Sequence, residues 1–175
     1  MKNKTLIDST QIENILIRIS HEIVEKNINL DKVCIIGIRS RGDVLASRIN
    51  ELIRKQTSSN VKLGYIDVTF YRDDFLSNLG SHKIGPSSIT FDINELHVIV
   101  IDDVLFSGRT IRAAMDEIFS YGRPKSIQLG VLVDRGHRQL PIKANFVGKN
   151  IPTSSDQNII VNVKEVDGKD EVILV

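Results

Sequence analysis

Residues 98–110 constrain the fold of this chain more than any other segment. Four apolar β-branched residues, at 98–101, have the composition of a strand that is covered on both faces of a sheet. Two adjacent carboxylates follow, Asp102 and Asp103, and a Ser-Gly-x-Thr turn then leads into a helical pattern. Parallel strands need a crossover connection, usually a helix. The segment therefore predicts one strand–helix unit of a parallel α/β sheet.

The same alternation of strand and helix continues along the chain. An N-terminal helix is predicted from a cap at Ser9 or Thr10 to about Asn27, because apolar residues recur at helical spacing. The other predicted elements are strands at 33–38, 62–71, 98–101 and 126–133, and helices at 43–55 and 110–119. The pattern predicts a doubly wound, mostly parallel α/β sheet.

A small second lobe is predicted beside this sheet. The tail from Asn145 onward is rich in β-forming residues, and its pattern predicts a terminal hairpin whose turn is Asp167-Gly168. The N-terminal helix and this hairpin are left over to form a hood. The prediction is one domain over 1–175, with a core at about 30–135 and a hood at about 1–29 and 136–175.

Composition limits the classes of protein that fit. The chain has 175 residues, 41% of them hydrophobic, and its single cysteine, Cys34, lies in an apolar run that predicts burial. We find neither a signal peptide at the start nor the roughly 20 apolar residues of a membrane span, which favours a soluble, cytoplasmic protein. The net charge is +1, so RNA binding would need a local basic patch.

The turn after the two carboxylates has the features of a phosphate site. Its backbone N–H groups can surround an anion, and the start of the following helix favours negative charge. Asp102 and Asp103 would then lie one sugar's length away and could accept hydrogen bonds from ribose hydroxyls. A buried strand followed by a capped turn is the alternative, but it does not explain two adjacent carboxylates. The segment predicts a site for a ribose 5-phosphate.

The segment resembles the phosphoribosyl pyrophosphate (PRPP) signature of type I phosphoribosyltransferases. Ile38-Arg39-Ser40-Arg41-Gly42 is similar to the family's pyrophosphate loop, and Tyr71-Arg72-Asp73-Asp74 to the base of its lid. Within the superfamily, the chain most resembles the bifunctional pyrimidine operon regulators with uracil phosphoribosyltransferase activity. The further blocks that carry this resemblance are Val131-Leu132-Val133-Asp134-Arg135-Gly136-His137-Arg138, Leu140-Pro141-Ile142 and Val147-Gly148-Lys149-Asn150-Ile151-Pro152-Thr153.

The resemblance implies that uracil and PRPP are converted to UMP and pyrophosphate. It implies Mg²⁺ as a cofactor, held mainly by PRPP and by no direct protein ligand. Phe106 stands where hypoxanthine–guanine enzymes have an aspartate, which argues against a 6-oxopurine substrate. The implied site residues are Asp102, Asp103, Arg41 and Arg72 for catalysis; Val104, Leu105, Phe106, Ser107, Gly108, Arg109 and Thr110 for the 5-phosphate; Arg39, Ser40, Arg41 and Gly42 for pyrophosphate; Tyr71 and Arg72 for the lid; and Val133, Asp134, Phe146 and Val147 for the base.

The resemblance also implies a second function, control of pyrimidine operon transcription by binding a messenger leader when UMP or UTP accumulates. An apolar strip of Ile17 and Val24 on the first helix, together with the resemblance, predicts a homodimer or larger oligomer. Three alternatives stay open: a nucleotide-sensing RNA regulator with little catalysis, a PRPP-sensing repressor, and a phosphoribosyltransferase for another base such as orotate. The candidate RNA contacts are Arg18, His21, His137, Arg138 and Lys143.

Overall fold

A computed structural model describes residues 4–68, 86–154 and 156–175. Its regular elements are β1 (Lys4–Ile7), α1 (Ser9–Lys26), β2 (Val33–Ile38), α2 (Gly42–Thr57), β3 (Lys62–Ile66), β4 (His97–Leu105), α3 (Arg109–Tyr121), β5 (Ser126–Asp134), β6 (Phe146–Asn150), β7 (Ile159–Asn162), α4 (Lys164–Asp167) and β8 (Glu171–Leu174). The predicted strand at 62–71 ends at Ile66, and the part of it from 69 onward lies outside the described residues. No helix among the described residues is long and apolar enough to cross a membrane.

Five strands form the central sheet in the order β3-β2-β4-β5-β6, and every neighbouring pair is parallel. From β2 the chain passes to β3 on one side, whereas β4 lies on the other side of β2. The strand order therefore reverses between β2 and β4. Open α/β sheets bind ligands beyond the carboxyl ends of the strands at such a point. The predicted doubly wound fold is confirmed.

Alternate residues of the central strands face two separate apolar cores. Ile99 and Ile101 of β4 pack with α1 and α2, whereas Val98 and Val100 pack with α3. Cys34 is fully buried in the second core, and burial raises the pKa of its thiol to about 12. The predicted buried position of Cys34 is confirmed, and its raised pKa keeps the thiol protonated at neutral pH.

A three-stranded antiparallel sheet, in the order β1-β8-β7, forms a small lobe that we call the hood. The predicted C-terminal hairpin is present as β7 and β8, but its connection contains the short helix α4, which ends at Gly168 with φ +80°. The structure differs from the predicted boundaries in two respects. Helix α1 packs on the central sheet, and β6 pairs with β5 as that sheet's edge strand. Of the N-terminal segment, as far as the structure describes it from residue 4 onward, only β1 lies in the hood.

Helix α1 begins one residue earlier than its predicted cap allows. Asp8 is the N-cap: its Oδ1 accepts a hydrogen bond from the Gln11 N–H at 2.9 Å, and the Gln11 side chain accepts one from the Asp8 N–H at 3.0 Å. This reciprocal pair satisfies two N–H groups at the helix start. Ser9 and Thr10 are therefore the first helical residues rather than the cap. The apolar stripe that predicted the helix is buried, as expected, at Ile12, Leu16, Ile19 and Ile23.

Candidate active site

Asp102 and Asp103 lie near the carboxyl end of β4, beside the point where the strand order reverses. Asp102 is buried, and its Oδ1 accepts a hydrogen bond from the Asp103 N–H at 2.9 Å. Asp103 Oδ1 accepts one from the Val104 N–H at 2.7 Å. The strand continues past both carboxylates to Leu105, because Val104 and Leu105 still pair with β5. The two side chains are thus fixed on strand backbone rather than on a loop.

Burial raises the pKa of the Asp103 carboxyl. The Val104 N–H and the positive charge of Arg41 act in the opposite direction but do not cancel this effect. A carboxylate in such a position gains most when a hydrogen-bond donor or a cation arrives. A ribose ring supplies hydroxyl donors, and a ribose that develops positive charge supplies both hydroxyl donors and a cation.

The turn between β4 and α3 presents a helix start without a capping side chain of its own. Gly108 is the N-cap residue, with φ +93°, a conformation that favours glycine. The Ser107 carbonyl accepts hydrogen bonds from the backbone N–H groups of Gln139 at 3.0 Å and Leu140 at 3.1 Å. The turn is therefore held from behind by the 139–140 segment, while the first N–H groups of α3 can receive an anion.

Gly42 brings the second predicted loop next to the carboxylates. A Cβ atom at Gly42 would lie 2.5 Å from the Ile101 carbonyl oxygen and 3.0 Å from Asp102 Cα. Only a residue without a side chain lets the start of α2 approach the β4 backbone this closely. The peptide between Arg39 and Ser40 in this loop is cis. The predicted phosphate turn, carboxylate pair and pyrophosphate loop therefore meet at one edge of the sheet.

Comparison with known proteins agrees with this geometry. A family model described as phosphoribosyl transferase domain matches residues 3–167. Bifunctional protein PyrR of Oceanobacillus iheyensis is 51% identical to the chain over 177 residues, which cover 99% of this chain and 98% of that protein. Bifunctional protein PyrR of Caldicellulosiruptor bescii is 49% identical over 174 residues, covering 99% and 95%. The chain belongs to the PyrR family.

The fold is also similar to that of solved phosphoribosyltransferases outside the PyrR family. A hypoxanthine-guanine phosphoribosyltransferase from Bacillus anthracis superposes with a TM-score of 0.72, 19% identity, and 98% coverage of both chains. At this identity the likeness concerns the fold alone. The predicted family and fold class are confirmed.

In this PyrR family member the two loop arginines are engaged by other side chains. Arg41 donates from Nε to Asp167 Oδ2 at 3.0 Å and from one Nη to Asp167 Oδ1 at 2.8 Å. The Arg39 guanidinium lies 5.7 Å from the centre of the Tyr65 ring. Sequence reasoning identified Asp167 only as a turn residue and missed its contact with the candidate site. No local signal could have revealed it, because the partner lies 126 residues away.

Phe106 forms an apolar wall in the phosphate turn, and sequence reasoning missed what supports it. The ring is 41% exposed, and the Arg135 guanidinium lies 4.1 Å from its centre. Arg135 is buried and donates hydrogen bonds to Thr153 Oγ1 at 3.1 Å and to the Gln157 carbonyl at 2.7 Å. The His137 ring contacts Phe106 edge-on, with 6.1 Å between ring centres. Phe106 is held in place and has no group that can take a proton.

The predicted base-binding residues lie in different surroundings. Val133 and Phe146 are buried in the core under α1, so the structure gives both side chains a packing role. Asp134 is half-buried, and its carboxylate accepts hydrogen bonds from the Gly136 N–H at 3.0 Å and from Arg138. Val147 is half-buried on β6. Tyr71 and Arg72, the predicted lid, lie outside the described residues.

The predicted RNA contacts lie on both sides of the edge strand β6. Arg18 donates to Glu22 at 2.6 Å and to the Gly148 carbonyl at 2.5 Å, which joins α1 to β6. Arg138 donates to the Phe106 carbonyl at 2.7 Å and the Ile142 carbonyl at 3.0 Å, so it braces the phosphate turn. His137 bonds the Thr153 carbonyl at 2.6 Å. His21 and Lys143 are exposed.

Proposed function

We propose that the protein is a uracil phosphoribosyltransferase, which converts uracil and PRPP to UMP and pyrophosphate. The observation that carries the proposal is the contact at Gly42. It brings a carboxylate pair of which Asp102 is buried, an open helix start and a loop with two arginines to one sheet edge. PRPP has a ribose, a 5-phosphate and a pyrophosphate, and each of these three groups of residues suits one of them. The PyrR relatives are named as bifunctional proteins, which agrees with an enzyme that has a second role.

Each part of the site has a task in the reaction. The first N–H groups of α3 and the turn at 104–110 hold the 5-phosphate through hydrogen bonds and the helix dipole. Asp102 and Asp103 accept hydrogen bonds from the ribose hydroxyls. Their negative charge favours the oxocarbenium-like ribose that forms while pyrophosphate departs. Arg39, Ser40 and Arg41 lie where the departing pyrophosphate needs positive charge and N–H donors.

Uracil is the base that the site residues favour. Phe106 is exposed enough to face a ligand but cannot take a proton from a purine ring. Backbone groups near Asp134 and Val147 would raise the acidity of the attacking uracil nitrogen by hydrogen bonds to the base oxygens. The closing residues of the site, which exclude water from PRPP, would be Tyr71 and Arg72.

Magnesium fits this site as an ion that arrives with PRPP. In the part of the chain that the structure describes, no cluster of three or more His, Cys, Asp or Glu side chains could hold a metal ion. Asp102 and Asp103 supply oxygen atoms, the donor type that Mg²⁺ prefers, and would orient an ion held mainly by PRPP oxygens. The chemistry that Mg²⁺ supplies when bound is neutralisation of charge on pyrophosphate.

A PRPP-dependent assay with Mg²⁺ against uracil, orotate, hypoxanthine and guanine tests the proposal. We expect nucleotide formation from uracil alone, and its loss in the double variant Asp102→Asn, Asp103→Asn. Asp116→Asn, an exposed carboxylate on α3, is the matched control and should keep full activity. Bound PRPP without product from any base would contradict the enzyme and favour a PRPP-sensing repressor, whereas product from orotate or a purine would contradict the assigned base.

The second role that we propose is regulation of pyrimidine genes through RNA, with UMP or UTP as the signal. Exposed His21 and Lys143 support it, since both can meet RNA phosphates on either side of β6. Binding of the organism's own pyrimidine-operon leader RNA, measured with and without UMP, tests this role. We expect UMP to tighten RNA binding. We expect Lys143→Glu to weaken it, and to lower the slope of log binding constant against log salt concentration by the equivalent of about one phosphate contact. Lys55→Glu is the control, because Lys55 is an exposed lysine on α2. RNA binding that ignores both UMP and Lys143 would contradict the role.

We also propose a cytoplasmic homodimer or larger oligomer. Ile17 and Val24 are half-buried on the flank of α1 and form the apolar strip that would face another copy. Sedimentation of the wild type and of Ile17→Glu tests the assembly. A smaller particle for the variant is expected, and an unchanged one would place the contact elsewhere.

A further inference from the structure

The hood contacts the candidate site through one turn that carries three carboxylates. Residues 164–170 connect β7 to β8 and contain Glu165, Asp167 and Asp170. Arg48, in the middle of α2, pairs with Glu165 at 2.5 Å and with Asp170 at 2.8 Å. Arg41, at the N-cap of α2, pairs with Asp167 at 2.8 Å. The turn therefore holds α2 at two places, and only one of them is in the pyrophosphate loop.

Asp167 binds Arg41 along one edge of the guanidinium. Both carboxylate oxygens accept hydrogen bonds, from Nε at 3.0 Å and from one Nη at 2.8 Å. A guanidinium has five N–H donors, so these two bonds leave three for other acceptors. The pair fixes the plane of the guanidinium, which a single hydrogen bond would not do.

Asp167 is itself fixed before it meets Arg41. Its Oδ2 accepts a hydrogen bond from the Val163 N–H at 2.9 Å, and its own N–H donates to the Val163 carbonyl at 2.7 Å. Its side chain is 18% exposed, so solvent reaches little of the pair. The position of Arg41 therefore depends on backbone atoms of the hood and not on two mobile side chains.

The same arginine, Arg41, lies close enough to the carboxylate pair for the charge of Asp103 to affect its pKa. The hydrogen bond that Arg41 donates to Asp167 raises the pKa of Arg41 most; burial opposes this effect, and the charges of Asp167 and Asp103 add to the increase. Without Asp167, the strongest remaining attraction on Arg41 would be toward Asp103. A guanidinium drawn onto that carboxylate would compete with the ribose hydroxyls.

We propose that Asp167 is a positioning residue that holds the Arg41 guanidinium toward the departing pyrophosphate and away from the Asp102–Asp103 pair. The inference rests on the proposed function, because it takes Arg41 as the pyrophosphate contact. It deepens that function by making the hood turn a part of the pyrophosphate site.

Reverse-reaction kinetics with UMP and pyrophosphate separate this role from a structural one. Asp167→Asn keeps an acceptor for the Val163 N–H but loses the charge and one of the two bonds to Arg41. Freeing one long side chain costs roughly two- to tenfold in affinity, so we expect the KM for pyrophosphate to rise by about that factor. The KM for UMP should rise less than that for pyrophosphate, because Arg41 does not hold the 5-phosphate and a released guanidinium would compete only with the ribose hydroxyls of UMP. Asp167→Glu should restore part of the loss.

Glu165→Gln is the matched control. It removes the same charge from the same turn and breaks a bidentate pair with the same helix, but it leaves Arg41 untouched. We expect its KM for pyrophosphate to equal that of the wild type. In an Arg41→Gln background, Asp167→Asn should have no further effect on pyrophosphate. Equal effects of the two hood variants, or a lower KM for pyrophosphate in Asp167→Asn, would overturn the inference.

Calorimetric binding of magnesium pyrophosphate keeps the two proposals distinguishable. A wild type that binds pyrophosphate but makes no UMP would contradict the proposed function, and the binding difference between Asp167→Asn and Glu165→Gln would still test the positioning role. A wild type that makes UMP while both variants bind pyrophosphate alike would overturn the positioning role alone.

Discussion

Asp103 occupies a position where its charge opposes folding and serves the proposed reaction. Burial raises the pKa of this carboxyl despite the Val104 N–H and the nearby Arg41 charge. A group whose pKa is higher in the folded state than in the unfolded state stabilises the fold only at low pH, where it is protonated. The ionised form at neutral pH therefore costs stability, a cost that an active site can retain for its function.

We expect Asp103→Asn to stabilise the protein at pH 7 by about 0.5–2 kcal/mol while it abolishes UMP formation. The Asn oxygen can still accept a hydrogen bond from the Val104 N–H, and the negative charge of the carboxylate is removed. The advantage over wild type should shrink as the pH falls through the raised pKa, because the wild-type carboxyl then becomes neutral as well. Urea unfolding at a series of pH values from 7 downward measures this.

Asp116→Asn provides the control for loss of one negative charge. Asp116 is exposed and pairs only with Arg112, at 3.1 Å, among the pairs in the described part of the chain. We expect a change in unfolding free energy below about 0.5 kcal/mol. A less stable Asp103→Asn variant at pH 7 would show that the carboxylate is stabilised where it lies.

At the scale of single elements, the start of α2 lies in close contact with β4 at Ile101. A Cβ atom at Gly42 would meet the Ile101 carbonyl oxygen at 2.5 Å, and neither backbone can move without displacing a strand or a helix. We expect Gly42→Ala to cost about 1–3 kcal/mol of stability and to weaken PRPP binding. Thermal unfolding and calorimetric titration with PRPP measure the two effects.

Gly64→Ala on β3 is the comparison for this change. Its Cβ atom would meet its nearest neighbours, Cγ1 of Ile89 and the Ser88 carbonyl oxygen, at 3.2 Å rather than 2.5 Å. We expect a smaller loss of stability and unchanged affinity for PRPP. If Gly42→Ala binds PRPP as tightly as the wild type does, the close approach is not needed for the site.

The start of α1 gives a second prediction at this scale. Asp8 and Gln11 form the reciprocal cap, so we expect Asp8→Ala to lower the unfolding free energy by about 1 kcal/mol. Ser9→Ala and Thr10→Ala should change it by no more than a few tenths, because both residues already lie inside the helix. Thermal unfolding of the three variants decides between the capping residues, and a larger loss at Ser9 or Thr10 would reverse the assignment.

At the scale of the whole molecule, ion pairs with Arg48 join the hood to the central domain. Burial opposes ionisation of Asp170, but its hydrogen bonds, above all from Arg48, outweigh that effect and lower its pKa. The Arg48 hydrogen bond also lowers the pKa of Glu165. Lowered carboxyl pKa values contribute stability that is present above their ordinary values and lost as the pH falls below them.

We expect Arg48→Gln to cost about 1–2 kcal/mol at pH 7, most of it through Asp170, because Glu165 is half exposed and screened by solvent. The difference from wild type should shrink as the pH falls below about 5 toward the lowered pKa values of the two carboxyl groups. Urea unfolding across this range measures it, with Arg54→Gln on the exposed side of α2 as the control. A difference that does not shrink as the pH falls would assign the loss to packing of the Arg48 stem rather than to charge.

Local patterns were sufficient for most of the elements and for the phosphate turn. β-branched runs predicted the positions of β2 and β4, and spacing predicted the buried stripe of α1, because each depends on residues a few positions apart. The adjacency of Asp102, Asp103 and the turn at 107–110 predicted a ribose-phosphate site without any long-range information. The family resemblance added the pyrophosphate role of the loop at 39–42, which local patterns alone identified only as a polar connection between a strand and a helix.

Other features depended on contacts between distant segments. The sequence predicted that the β6 segment belongs to the hood. In the structure β6 completes the central sheet, because its partner β5 offers an open edge. The sequence predicted that the side chains of Arg18 and Arg138 contact RNA. In the structure, nearby carbonyl groups accept their hydrogen bonds. Their sequence neighbours gave no sign of this, since a carbonyl acceptor is present at every residue.

The sequence by itself thus determined the strand–helix order, the carboxylate pair and the phosphate turn, since each follows from side chains within about one turn or one strand. Only the tertiary structure decided which arginines are engaged and which carboxylates hold them. Asp167 meets Arg41 across 126 positions, and Arg48 meets Asp170 across 122. Such pairs form only after the hood and the central sheet have packed, because packing, and not spacing along the chain, sets the distance between them.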